Sequence, residues 1–223
     1  MDYRLAELAD ERLVAPDGAL QVYVRALREA PADERTLEEI ERFAAQVDGG
    51  WEAVANAYAD VLQLHAQPEV QRSIGKRLAR VFEEELGDVA RAEETYRYVL
   101  GVEPLDADAL AQLDRIYTGL EQYPELAATL EQRVKATTEP YELVELYTRL
   151  GLVYEEQLRQ LDDAVRAFRR IFDELDRQNE QAILALERVF AAKEAWPQLK
   201  EVYDRQLELA GGDTEQAEIL AKT

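Results

Sequence analysis

A chain of 223 residues with 47% hydrophobic side chains has enough apolar material for a continuous core, yet it holds no run of about 18 apolar residues that would span a membrane. Forty-seven acidic residues against 26 basic ones leave a net charge of −21, a field that repels phosphate backbones and argues against nucleic acid as a ligand. Cysteine is absent and the opening MDYRLAELADERL has neither the basic start nor the apolar stretch of a signal peptide, so disulfides and thiol chemistry are excluded while the compartment stays open.

Along the chain one pattern of apolar anchors recurs at helical spacing. An abbreviated copy comes first, at Ala19, Tyr23 and Leu27, followed by Trp51, Val54, Tyr58 and Leu62. Then come Val89, Ala92, Tyr96 and Leu100, and after them Tyr123, Leu126, Leu130 and Val134. The last two copies are Leu161, Ala164, Phe168, Phe172 and Trp196, Leu199, Tyr203, Leu207. The central anchors Tyr23, Tyr58, Tyr96, Leu130, Phe168 and Tyr203 are separated by 35, 38, 34, 38 and 35 residues, so steps over two units are 72 or 73. The true period is therefore a pair of unlike repeats. Flanking positions agree: Leu78, Ala79, Phe82, Glu83, Glu84 and Leu86 correspond to Leu150, Gly151, Tyr154, Glu155, Glu156 and Leu158.

Apolar residues at i, i+3, i+4 and i+7 give each unit two amphipathic helices, and the absence of period-two alternation predicts no sheet. Breaks are expected at Pro31, Gly49-Gly50, Pro68, Gly87-Asp88, Pro104, Pro140, Asn179 and Gly211-Gly212. Pro124 and Pro197 suit the first turn of a helix, and Asp213 with Gln216 reads as a capping box. The units run approximately 1–33, 34–68, 69–105, 106–138, 139–178 and 179–212, with a seventh beginning at 213–223. Such a period implies a stacked helical array with an extended binding surface.

These residues resemble the tetratricopeptide repeat (TPR) family. Its first-helix signature is met by Tyr147, Leu150-Gly151 and Tyr154, and again by Leu78-Ala79 with Phe82. Its second-helix signature is met by Ala19, Tyr23, Ala26-Leu27 and Pro31, and by Ala92, Tyr96, Leu100 and Pro104. Two departures stand out: the small residue of the second helix becomes Val54, Leu126 and Leu199 in alternate units, and the 38-residue units call for a wider or differently angled turn. The paired flavour is similar to long bacterial TPR arrays. The resemblance implies an all-α, right-handed superhelical solenoid of about six antiparallel helix pairs, with first helices lining a concave groove for a peptide or partner helix.

Leu5, Leu78 and Leu150 share a register whose next step is Thr223, so both ends are expected to cut through equivalent first helices of a longer array. End-to-end self-contacts and a cytoplasmic location are expected for such a segment. The alternative is a natural protein with shortened terminal helices, although Ile219 and Leu220 do not make the polar cap that such an end needs.

Raw material for catalysis is scarce. Glu83-Glu84 and Glu155-Glu156 hold equivalent places, which favours an exposed helix face over an acid–base couple. His65 is the only histidine, which leaves almost no raw material for a metal site or nucleophilic triad, and the glycines sit at turns. No cofactor and no enzymatic activity are expected. The sharper feature is a line of cations at the groove-facing position of the first helices: Arg42, Arg80, Arg115 and Arg188, interrupted by Leu152, with Lys76 one turn before Arg80. One reading is a basic ladder that receives carboxylates of an acidic or C-terminal peptide. The other is internal pairing, Arg42 with Glu38 and Arg80 with Glu83 or Glu84. Asparagines of a lysine/asparagine carboxylate clamp are missing, so a chaperone tail is not expected. Trp51, Trp196 and the tyrosines read as core packing. The resulting expectation is a non-catalytic protein-interaction scaffold, with a structural spacer as the alternative. Because acidic self-repulsion opposes folding, moderate sodium chloride should raise the melting temperature; a fall would contradict the expectation.

Overall fold

The computed structural model describes residues 16–210 and 212–221, all in helices and short turns with no strand among them; Leu5, Gly211 and Thr223 lie outside the described residues. The helices are α1 (Pro16–Glu29), α2 (Glu34–Ala44), α3 (Gly50–Leu64), α4 (Pro68–Arg80), α5 (Val89–Val102) and α6 (Ala107–Gly119). They continue as α7 (Tyr123–Ala136), α8 (Pro140–Leu152), α9 (Leu161–Arg170), α10 (Glu180–Ala192), α11 (Trp196–Leu209) and α12 (Asp213–Leu220). No helix among the described residues is long and apolar enough to cross a membrane. Chain contacts part into two compact units, one ending at Ile116 and the other beginning at Tyr117. Within each, consecutive helices joined by short turns pack side by side as antiparallel pairs. The resemblance to TPR helix pairs thus holds in the structure.

Local chemistry sets the helix starts. The side chains of Asp33, Asp106 and Asn179 accept the backbone N–H three residues on, at 2.8, 3.0 and 3.0 Å, each satisfying an otherwise orphaned donor. These caps recur at steps of 73 residues, so the two-repeat period reaches the turns. Pro68 and Pro140 open α4 and α8, while Pro124 and Pro197 stand in the first turns of α7 and α11. The helix start expected with Asp213 as cap lies one residue earlier. The Gln216 N–H is taken by the Gly212 carbonyl at 3.1 Å, which makes Gly212 the cap and Asp213 the first helical residue.

All six central anchors are buried: Tyr23, Tyr58, Tyr96, Leu130, Phe168 and Tyr203. In the first unit Tyr23 stacks on Phe43, ring centroids 5.7 Å apart. In the second, Phe168, Phe172, Leu186, Phe190, Leu199 and Tyr203 form one cluster, with Ile219 from α12 packed onto it. The first point of the pattern behaves differently. Trp51 is only half-buried and Trp196 is 60% exposed, which corrects their reading as core. Both stand in the first turn of a helix, before the packed stripe begins. Among the tyrosines, Tyr98 and Tyr141 are also exposed.

The extra residues of the long units have a defined place. α4 continues through a π-helical turn at Val81–Glu85 and α8 through another at Val153–Gln157, one in each 38-residue interval. Leu86 and Leu158 N–H groups close these turns on the Val81 and Val153 carbonyls at 3.1 and 3.0 Å. A third π turn, Ile171–Leu175, extends α9.

The chain reverses through left-handed residues on the same two-repeat lattice. Gly49, Glu121 and Glu194 form one series, with φ of 70, 55 and 54°, and Gly87 and Arg159 form another at 64 and 57°. Glycine adopts this conformation freely, whereas a side chain there costs about 1–2 kcal/mol. At Gly151 the constraint is space: an added Cβ would lie 2.6 Å from the Phe168 ring. Arg159→Gly and Glu194→Gly should each raise the unfolding free energy by up to about 1 kcal/mol, after the added chain flexibility is subtracted. Gly151→Ala should lower it by about 1–3 kcal/mol through overpacking. Denaturant midpoints read both signs.

Candidate functional site

In the first unit α4 carries Arg72, Lys76 and Arg80 at intervals of four residues, which brings three cations onto one helical face. Ser73 and Arg77 flank them. Asp108 and Gln112 of α6 form the facing wall, and Tyr96 of α5 completes a cleft of about 490 Å³. First helices thus supply both walls.

Most of the cleft's charge is held internally. Arg72 donates from Nε and Nη2 to the buried Asp106 carboxylate at 3.2 and 3.1 Å. Lys76 lies 3.4 Å from the same carboxylate and 2.7 Å from Asp108. Burial acts to raise the Asp106 pKa, but the Ala109 N–H, Lys76 and Arg72 outweigh it and hold the carboxyl below its usual range. Arg77 reaches away from the cleft to Glu41 and Glu34 of α2, at 2.9 and 2.6 Å. Glu41 also accepts the Tyr58 hydroxyl at 2.8 Å, and burial together with that carboxylate pushes the phenol pKa strongly up. The Tyr96 phenol is pushed up to about 12, by burial first and Glu83 second, with Arg80 opposing. Arg80 differs from its neighbours. It is exposed, and no carboxylate among the described residues stands within ion-pair distance of it.

Of the cations singled out in the sequence, the cleft brings together Lys76 and Arg80. Arg42 pairs with Glu39 at 2.6 Å, and its guanidinium sits 4.1 Å over the Phe43 ring. Arg115 is bonded to Glu83, and the expected Arg80–Glu83 pair does not form. Arg188, in the second unit, grips Glu155 with two bonds of 2.5 and 2.6 Å. These last two pairs are register equivalents that tie the π turn of one first helix to the next first helix. They also correct the reading of Glu83 and Glu155 as exposed, since their side chains are 10 and 9% accessible. Sequence reading along one repeat column missed Arg72 and Arg77; the four-residue spacing of Arg72, Lys76 and Arg80 was the available signal.

The same register in the second unit is uncharged: Arg72, Lys76 and Arg80 correspond to Val144, Thr148 and Leu152 at a step of 72. A separate cleft of about 480 Å³ in that unit is lined by Tyr147, Leu150, Tyr154, Arg166 and Arg170 among others. There the Tyr154 hydroxyl donates to Glu131 at 2.7 Å. His65 lies 3.2 Å from the Arg28 carbonyl, a structural contact. Among the described residues no three His, Asp or Glu side chains cluster as a metal would require.

No family model matches the sequence, and no characterised protein does. Among solved structures, the chain is similar to a crystal structure of MamA with a TM-score of 0.43 and 18% identity, over 78% of this chain and 93% of that one. PilF of Pseudomonas aeruginosa gives 0.39 and 19%, over 93 and 89%. PilW, a widely conserved type IV pilus biogenesis factor, gives 0.39 and 15%, over 97 and 96%.

The Asp106 network makes a pH-dependent contribution of known sign. A depressed carboxyl pKa stabilises the fold above the unfolded value, about 3.9, and loses that contribution as pH falls through the folded value. Asp106→Asn keeps a competent cap but removes the charge. It should cost about 1–2 kcal/mol at pH 7, and its gap to the wild type should close below about pH 4. Urea unfolding of both proteins across that range checks the convergence.

Proposed function

We propose that this chain is a non-catalytic protein-interaction scaffold whose first-helix cleft receives a peptide or a helix of a protein partner. The observation that carries the reading is the cleft between α4 and α6, with Arg80 exposed and outside any internal ion pair. Rigid stacked pairs suit such work, because a pre-formed surface loses little entropy on binding. The cleft's chemistry favours binding over reaction. Asp106 and Asp108 are engaged by Arg72 and Lys76, which takes both out of service as general bases.

The second reading is a structural spacer that holds flanking elements apart. It is favoured by the internal consumption of Arg115 and Arg188, which serve the stack and leave no cation of that pair for a ligand.

Site-specific photo-crosslinking in cells separates the two. A benzophenone side chain at Ser73, in the cleft, should give discrete adducts with a protein partner, whereas one at the exposed Glu94 of α5 should not. A spacer predicts no cleft-dependent adduct.

A further inference from the structure

Resting on the scaffold reading, we infer that the cleft of the first unit selects an acidic peptide segment through side-chain carboxylates, with Arg80 as primary anchor and Lys76 as second contact. Arg72, Lys76, Arg80, Glu69 and Asp108 line this cleft, while Arg77 turns its guanidinium away to Glu41 and Glu34. Counted with the carboxylates that hold them, these side chains carry no cationic excess. What the cleft offers is one guanidinium unpaired among the described residues, Arg80, beside an ammonium whose nearer partner is exposed. In a chain whose net charge is −21, that combination is complementary to an anion.

The four cations do not play the same part. Arg72 is committed to a buried carboxylate and Arg77 to two carboxylates of α2; both hold the wall in place. Arg80 needs no rearrangement to bind. Lys76 is bound to Asp108, whose side chain is 77% exposed. Such a pair is weak in water, so an incoming carboxylate can take the place of Asp108. Lys76 and Arg80 are one helical turn apart, on the same face, so two neighbouring carboxylates of one segment can be met together. Charge-assisted bonds from a guanidinium and an ammonium supply the affinity. The second unit, with Val144, Thr148 and Leu152 in the equivalent places, has no such selectivity.

The test uses the whole chain and fluorescein-labelled octapeptides followed by polarisation at low and moderate salt. The probes are alternating Glu-Ser with an amidated C-terminus, alternating Lys-Ser with the same end, an all-Ser peptide with a free C-terminal carboxylate, and octathymidylate. The Glu-Ser peptide should bind saturably and weaken with salt, and the other three should bind at least about tenfold more weakly. Arg80→Glu should weaken the Glu-Ser peptide about tenfold or more. Asp108→Asn, which removes the nearer and exposed partner of Lys76 while Asp106 stays 3.4 Å away, should tighten it about two- to fivefold. Arg97→Glu, on the exposed face of α5, should change nothing, and circular dichroism confirms that each variant folds.

Equal binding of octathymidylate would overturn the assignment to a peptide, and tight binding of the all-Ser peptide would move recognition to a terminal carboxylate and overturn the side-chain claim. Absence of Glu-Ser binding, or indifference to Arg80→Glu, would overturn the inference outright. Should that occur while Ser73 still captures a partner, the scaffold reading stands and only the acidic specificity falls.

Discussion

The structure depends on the burial of one large side chain in the middle of each second helix. Tyr58, Leu130 and Phe168 are fully enclosed, and Tyr23, Tyr96 and Tyr203 nearly so. A helix pair has two apolar stripes and can cover only part of them alone, so each anchor needs the next pair to complete its surroundings. With each anchor contributing roughly 1.5–3 kcal/mol on burial, stacking dominates the local preferences of the turns. That dominance explains how Arg159 and Glu194 are held at positive φ without glycine: the packed helices on either side dictate the turn.

The same hierarchy explains the long units. Residues beyond the usual repeat length must be absorbed without moving the anchors out of register. The π turns at Val81–Glu85 and Val153–Gln157 do this inside the first helices. They also place Glu83 and Glu155 where Arg115 and Arg188 can reach them from the following first helix. Length, helix type and inter-helix ion pairing are thus one device, written twice at the same register.

Electrostatics divides the surface in turn. Carboxylates outnumber cations almost two to one in this chain, so most arginines are captured by neighbours, both along a helix and across to the next. An arginine is left available only where geometry denies it a partner. At Arg80, Glu83 lies three residues on along the same helix but is bonded to Arg115 of the following first helix. The candidate site therefore follows from the stacking and is no independent addition to it.

The periodicity of the sequence determined the helices, their pairing, the two-repeat period and the identity of the anchors, because burial of a helical stripe leaves a 3.6-residue signature that needs no partner to be read. It also marked the break at Asn179, where the structure places a helix cap. It did not reveal the left-handed turns at Glu121, Arg159 and Glu194, where no glycine announces them, nor the exposure of Trp196, whose apolar side chain resembles an anchor. Above all it could not apportion the arginines. Arg115 and Arg188 are paired with carboxylates 32 and 33 residues away, across helices, and which cation finds a partner is set by side-chain geometry between neighbours. Only the tertiary structure shows that Arg80, exposed at the cleft, has no carboxylate within ion-pair distance among the described residues.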